Sequence, residues 1–323
     1  EVGQRDGSLF DQLRGIDFNK WINLLNCVFK NLITLLKRVK AVQSVMCQGF
    51  ADVSDKNADE ILSIDNSDSS DETFDTSKML LEVDSIELTS DLKESLCSIC
   101  DYAHARCANL IESRAKNGGL DKLSSSEFVE LAKSIEDFAS ICHDICGRRS
   151  PNLKLVLQTQ ANKFATRFHE ERKKKLNSHL DIEQWKSIDS ISFEFRDVIN
   201  QITEKGVKFH EIQRNKQVNG TEQNKKIPFL LIKQEKFVVV IVVIRLVNMM
   251  IEYCQCAYEI KTLSPDLLTR LLDLLKQFNA RTSQLVLGAG ALQVAGLKTI
   301  TARNLIISSR SLKLVMTLIP FIK

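Results

Sequence analysis

From Phe18 to Met46 the chain reads FNKWINLLNCVFKNLITLLKRVKAVQSVM, with no proline or glycine inside it. Trp21, Leu25, Val28, Leu32, Leu35, Val39, Val42 and Met46 recur in alternating steps of four and three, so they line one side of a helix. Ile22, Phe29, Ile33 and Leu36 widen that row beyond the seam of a two-stranded coil. A stripe this wide must be covered, so the helix is expected inside a bundle or against another protein. The row from Trp21 to Met46 is therefore a candidate partner stripe.

Breakers are scarce elsewhere too. Four prolines and 12 glycines in 323 residues favour long helices over many short strands. With 44% hydrophobic and 26% charged residues, the chain has material for two or three packed units. A formal net charge of +3 supplies no field that would draw nucleic acid. The apolar run Val238–Ile244 stops at Arg245 and is short of the roughly twenty residues a membrane span needs. The first residue is Glu1 and no charged-then-apolar leader follows, so a piece of a longer protein is expected. Nine cysteines, an odd number scattered through apolar stretches, read as reduced thiols.

Capping signals divide the remainder. Asp91 with Glu94, and Ser124 with Glu127, have capping-box spacing. Gly147 stops the second of these helices, and Ser150-Pro151 opens a third that continues to about residue 180. A shorter amphipathic stretch follows near 193–203, and Ser264-Pro265 opens a late helix. The expected order is a long amphipathic helix in 1–50, an acidic disordered linker in 51–78, a helical bundle in 79–203, a polar loop in 204–227 and a second bundle in 228–323. The serines of SDSSDE in that linker have the acidic context of phosphorylation sites, or belong to a solvated spacer. The fold class is all-α: an elongated rod of antiparallel helical bundles, with room for one small β-hairpin near 229–240.

Three constellations bear on chemistry. Residues 284–299, QLVLGAGALQVAGLKT, hold three glycines, but neither phosphate-loop spacing fits: Gly296 is six residues after Gly290, and Leu297 separates it from Lys298-Thr299. Gly288, Ala291, Ala295 and Gly296 instead suggest small side chains for close helix packing, or a corner between two helices. Cys97, Cys100, His104 and Cys107 share one helix face and are metal-capable types, with Cys142, His143 and Cys146 on the next helix. One straight helix spreads its outer pair about 15 Å apart, so core thiols are the simpler reading beside a metal or thiol enzyme. Arg167, Arg172, Lys173, Lys174 and Lys175, with His169 among them, form the densest basic stretch. It is either a solvated face laced by Glu170 and Glu171 or a contact for anionic lipid or an acidic partner.

Four segments carry a resemblance: RCANLIESRAK (106–116), RFHEERKKKL (167–176), MIEYCQC (250–256) and LTRLLDLLKQFNARTSQLVLGAGALQVAGLKTITARNLIISSR (268–310). Together they resemble a subunit of the Golgi-associated retrograde protein (GARP) complex, in the family of complexes associated with tethering containing helical rods. The resemblance starts near Lys37–Ser44 and is weakest in the acidic stretch and in 204–227. It implies a middle portion, without the N-terminal assembly coil and most or all of the C-terminal domain. It further implies capture of endosome-derived carriers at the cytoplasmic face of the trans-Golgi network, with other GARP subunits, SNAREs and a Golgi small GTPase as partners and peripheral membrane association. No catalytic residue, cofactor, metal, nucleic acid or small-molecule substrate is implied. An all-α adaptor with other partners is the alternative, and a Cys/His metal or thiol enzyme the remoter one.

Overall fold

The computed structural model describes residues 15–64, 71–149, 151–212, 227–232, 234–288 and 290–322, with side chains described for these apart from 51–85 and 291. Nine α-helices and one two-stranded hairpin make up the regular structure among the described residues, so the protein is all-α with the hairpin as its β element. The chain forms two compact units, Glu1–Gln160 and Ala161–Lys323.

The first unit is built from α1 (Phe18–Ile64), α2 (Asp71–Lys116) and α3 (Ser125–Cys146). α2 runs back along α1: Arg114, near its C-terminus, donates to the Ile16 carbonyl at 2.6 Å and lies over the Trp21 ring. α3 completes the bundle through Phe29, whose ring stacks on Phe138 with centroids 4.3 Å apart. The ends of α3 are those its sequence encodes. Ser124 and Glu127 form a reciprocal capping box, and Gly147 adopts the left-handed conformation at φ 75° while its N–H bonds to the His143 carbonyl.

Helix replaces linker over much of the acidic stretch. Residues 51–64 complete α1 and 71–78 begin α2, while Ser67, Ser69 and Ser70 lie outside the described residues. The reason is cooperative. Extending an existing helix needs no new nucleus. Asp91 and Glu94 accordingly fall inside α2 rather than at its start.

The boundary between units lies within α4 (Pro151–Asp181), not in the polar loop. The second unit continues with α5 (Phe193–Thr203), β1 (Phe229–Ile232), β2 (Glu235–Val238), α6 (Ile241–Glu259), α7 (Ser264–Val286), α8 (Gly290–Val294) and α9 (Ala302–Leu318). α6 is long and apolar enough to cross a membrane by length and composition, yet most of it is buried within this unit. The hairpin pairs Ile232 with Glu235 across a turn that holds Gln234 at φ 68°. Leu230, Ile232 and Phe237 point inward and Leu231 outward, the period-two alternation of a half-buried strand pair. The leading part of the expected polar loop is also anchored: Phe209 and Ile212 are buried, and the His210 ring stacks on Tyr258 at 4.0 Å. Residues 213–226 of that loop lie outside the described residues.

Candidate functional site

The partner stripe on α1 divides in two. Trp21 and Leu25 are buried, Val28, Leu32 and Val39 are half-buried, and Leu35, Val42 and Met46 are exposed. The face that enters the bundle is rotated from the expected row and runs through Phe18, Ile22, Leu25, Phe29 and Leu36. Heptad spacing placed both rows on one broad side, and only the positions of α2 and α3 decide which row is covered. An apolar row of Leu24, Leu35, Val42 and Met46 thus stays in solvent, with Leu35 52% exposed and Val42 59%. On the other flank of α1, an open groove of about 760 Å³ separates it from α3. Phe29, Ile33, Phe138 and Ile141 line its apolar part, and Lys30, Lys37 and Arg38 line its α1 side.

The thiol-rich face of α2 is core. Cys97, Cys100, His104 and Cys107 are buried, as is Cys142 on α3. The Cys97 thiol donates to the Cys146 carbonyl at 3.5 Å. Burial pushes the Cys107 thiol up to about 11 and, with help from Cys146, the Cys142 thiol up to about 12. Cys100 is raised by burial and by its hydrogen bond with Cys146. These thiols stay protonated at neutral pH, the opposite of what a nucleophile needs. Among the described residues, no three Cys, His, Asp or Glu side chains converge as a metal site.

His104 stands out in this core. It is buried in a T-shaped contact with the Phe138 ring, and neither ring nitrogen has a hydrogen-bond partner. Burial lowers its pKa below the ordinary 6.5, against a smaller pull upward from Asp101. An orphaned imidazole of this kind costs stability.

The basic stretch on α4 turns largely inward. Arg172 lies over the Phe168 ring, 3.2 Å from its centroid, and pairs with Glu252 of α6 at 2.6 Å. Lys173 reaches Asp273 of α7 at 3.5 Å, and Arg167 pairs with Glu171 at 3.7 Å. Lys174 and Lys175 are exposed and have no ion-pair partner among the described residues. Three of the five cations are therefore engaged within the second unit, which leaves two for any external contact.

His169 belongs to the core rather than to that charged face. One ring nitrogen lies 2.8 Å from the Tyr253 hydroxyl and the other 3.2 Å from Asp273 Oδ2, so the residue joins α4 to α6 and α7. Nothing in RFHEERKKKL separates it from its charged neighbours; only its place one turn below Lys173, toward Phe168, hints at an inward face. Burial lowers its pKa below 6.5, assisted by Lys173 and Arg270 and opposed by the bond to Asp273.

Both histidines therefore make the fold acid-sensitive. The native state keeps them neutral where the unfolded chain takes up a proton, so stability is present above about pH 6.5 and is lost as the pH falls toward their lowered native values. Thermal unfolding should show a falling midpoint between pH 7 and pH 5. His104→Leu should flatten the first unit's share of that slope and stabilise the unit by about 1 kcal/mol at neutral pH. A variant with wild-type slope and midpoint would contradict this account.

A second buried anchor escaped the sequence reading. Glu183 accepts the Trp185 N–H through Oε1 and the Val242 N–H through Oε2, each at 3.1 Å. It thereby caps α6 from a distant point in the chain, since Val240 supplies no side-chain cap. Trp185 is buried with φ 53°, a conformation that non-glycine residues rarely hold.

The glycine stretch forms a corner. α7 ends at Val286, Gly288 is exposed beyond it, Gly290 opens the five-residue α8, and Gly296 follows at φ 65°. Gly288, Ala295 and Gly296 do not share one continuous helix; Gly288 and Gly296 are exposed, and Ala295 is half-buried. The side chain of Ala291 lies outside the described residues. What Gly288 supplies is room for the backbone, because a Cβ there would sit 2.6 Å from the Gln284 carbonyl oxygen. Gly288→Ala should cost about 1–3 kcal/mol in urea unfolding; an unchanged midpoint would mean the corner tolerates the substitution.

No solved structure matches the chain. Residues 234–323 match the family described as Vps54-like protein. Vacuolar protein sorting-associated protein 54 of Mus musculus is 46% identical over 237 residues, covering 73% of this chain and 24% of the mouse protein. Its Drosophila melanogaster counterpart is 34% identical over 316 residues, covering 97% of this chain and 31% of the fly protein. The Caenorhabditis elegans protein is 30% identical over 269 residues, covering 74% and 25%. The chain thus spans 24–31% of the length of these relatives. With a helical fold and a family match that takes in β2 through α9, the chain is a relative of vacuolar protein sorting-associated protein 54, similar to it over most of the present sequence.

Proposed function

We propose that this chain is part of a non-catalytic subunit of a multisubunit vesicle tether that returns carriers from endosomes to the trans-Golgi network. The relatives' names speak of vacuolar protein sorting, which supports an endomembrane role. The observation that carries the reading is the uncovered apolar row on α1, where Leu35, Val42 and Met46 face solvent while Ile22, Leu25, Phe29 and Leu36 are buried. Such a row suits assembly by helix packing. Other GARP subunits are the proposed occupants of that row, with SNAREs and a Golgi small GTPase as further partners of the whole protein at the cytoplasmic face of the membrane. On α4, Lys174 and Lys175 are the cations left for an anionic surface.

The test uses the full-length protein in cells lacking their own copy. Leu35→Ser, Val42→Ser and Met46→Ser combined should reduce co-purification of the other tether subunits and slow retrieval of a receptor that cycles between endosome and Golgi. Normal subunit recovery with normal retrieval would remove α1 from assembly. Loss of a different, identified partner set with intact tether assembly would favour the adaptor reading.

A further inference from the structure

We propose that the groove between α1 and α3 docks an acidic amphipathic helix of a partner protein. It deepens the reading above and relies on it only for the occupant being a protein. The groove follows α1 from Asn26 to Ala41, about 22 Å along the helix, room for about four turns of a third helix. Phe29 and Phe138 are buried with their rings stacked on one another, and Ile33 and Ile141 are half-buried beside them. A side chain entering from outside would meet an apolar surface, as a knob meets a hole.

Charge selects the occupant. Lys30, Lys37 and Arg38 are exposed on the rim, and Asp137 is the acid among the lining residues. No carboxylate among the described residues pairs with any of the three cations. Lys30 and Lys37 stand one heptad apart, the interval at which flanking carboxylates recur beside an apolar seam. Lys40 differs, since its ammonium donates to the Asp144 carbonyl at 3.0 Å and ties α1 to the end of α3. Neither flat surface nor single strand fits as well. The apolar side chains lie recessed rather than protruding toward a bilayer, and the two rings face each other instead of offering stacking platforms to bases.

The experiment uses the chain and two labelled model helices about three heptads long, identical in their leucine seam but flanked by glutamate in one and lysine in the other. Fluorescence anisotropy at low salt should show the glutamate helix binding roughly tenfold or more tightly than its lysine twin. The preference should shrink as salt shortens the screening length. Combined Lys30→Glu, Lys37→Glu and Arg38→Glu should reverse it, and the milder Lys30→Gln, Lys37→Gln and Arg38→Gln set should abolish it, with circular dichroism confirming the helical fold of both. Equal binding of the twins, or an intact preference in either variant, overturns the proposal. So does charge-dependent binding to phosphatidylserine vesicles without binding of the glutamate helix, which would make the rim a lipid contact. Because the readout is direct binding, it stands or falls separately from the receptor-retrieval test.

Discussion

Phe138→Ala should lower the unfolding free energy of the first unit by about 3–5 kcal/mol. The ring is 1% exposed and stands where all three long helices meet. It stacks on Phe29 of α1 with planes 7° apart and makes a T-shaped contact with the His104 ring of α2 at 5.4 Å between centroids. Truncation to alanine removes that contact area and leaves a cavity whose walls are held by long helices that close poorly around it. Leu35→Ala, on the uncovered row, should change stability by less than about 0.5 kcal/mol. Hydrogen exchange during urea unfolding separates the two units and measures both variants in the same way. A large loss at Leu35 with a small one at Phe138 would put the bundle seam on the wrong side of α1.

Glu183→Ala should cost the second unit about 2–4 kcal/mol. The residue is 9% exposed, and its carboxylate satisfies two main-chain donors, one at the strained Trp185 peptide and one in the first turn of α6. Removal orphans a buried N–H at each place and takes a negative charge from the positive end of that helix. Glu183→Gln keeps a single acceptor oxygen and should lose about half as much. Equal stability of the wild type and both variants in urea would show that water or a rearranged backbone replaces the carboxylate freely.

How far the residues announced their roles varies with the distance over which the interaction acts. Ser124, Glu127, Gly147 and Pro151 mark helix ends because capping involves atoms within four residues of one another. Leu271, Leu275, Phe278, Thr282 and Leu285 of α7 recur in the same four-three step and are buried, whereas Leu292, Gly296 and Thr299, which continue that step beyond the end of the helix, are exposed. Misreadings arose where a local signal was overruled. Acid-rich composition at 51–64 argued for a linker, but an established helix carries on through it. Gly288 and Gly296 argued equally for close packing and for a corner, and backbone crowding at Gln284 settles on the corner. His169 sits in a run of cations yet is core.

Local periodicity and capping chemistry thus determined, from the sequence alone, that this protein is a series of long helices with thiol-filled interiors. Tertiary structure decided which apolar row of α1 is covered, which cations on α4 are used up, and which histidines are buried. Those outcomes depend on partners about eighty to more than one hundred residues away, such as Glu252 for Arg172 and Asp273 for His169. Helical spacing states which side chains share a face, but burial is a property of what the rest of the chain brings against it.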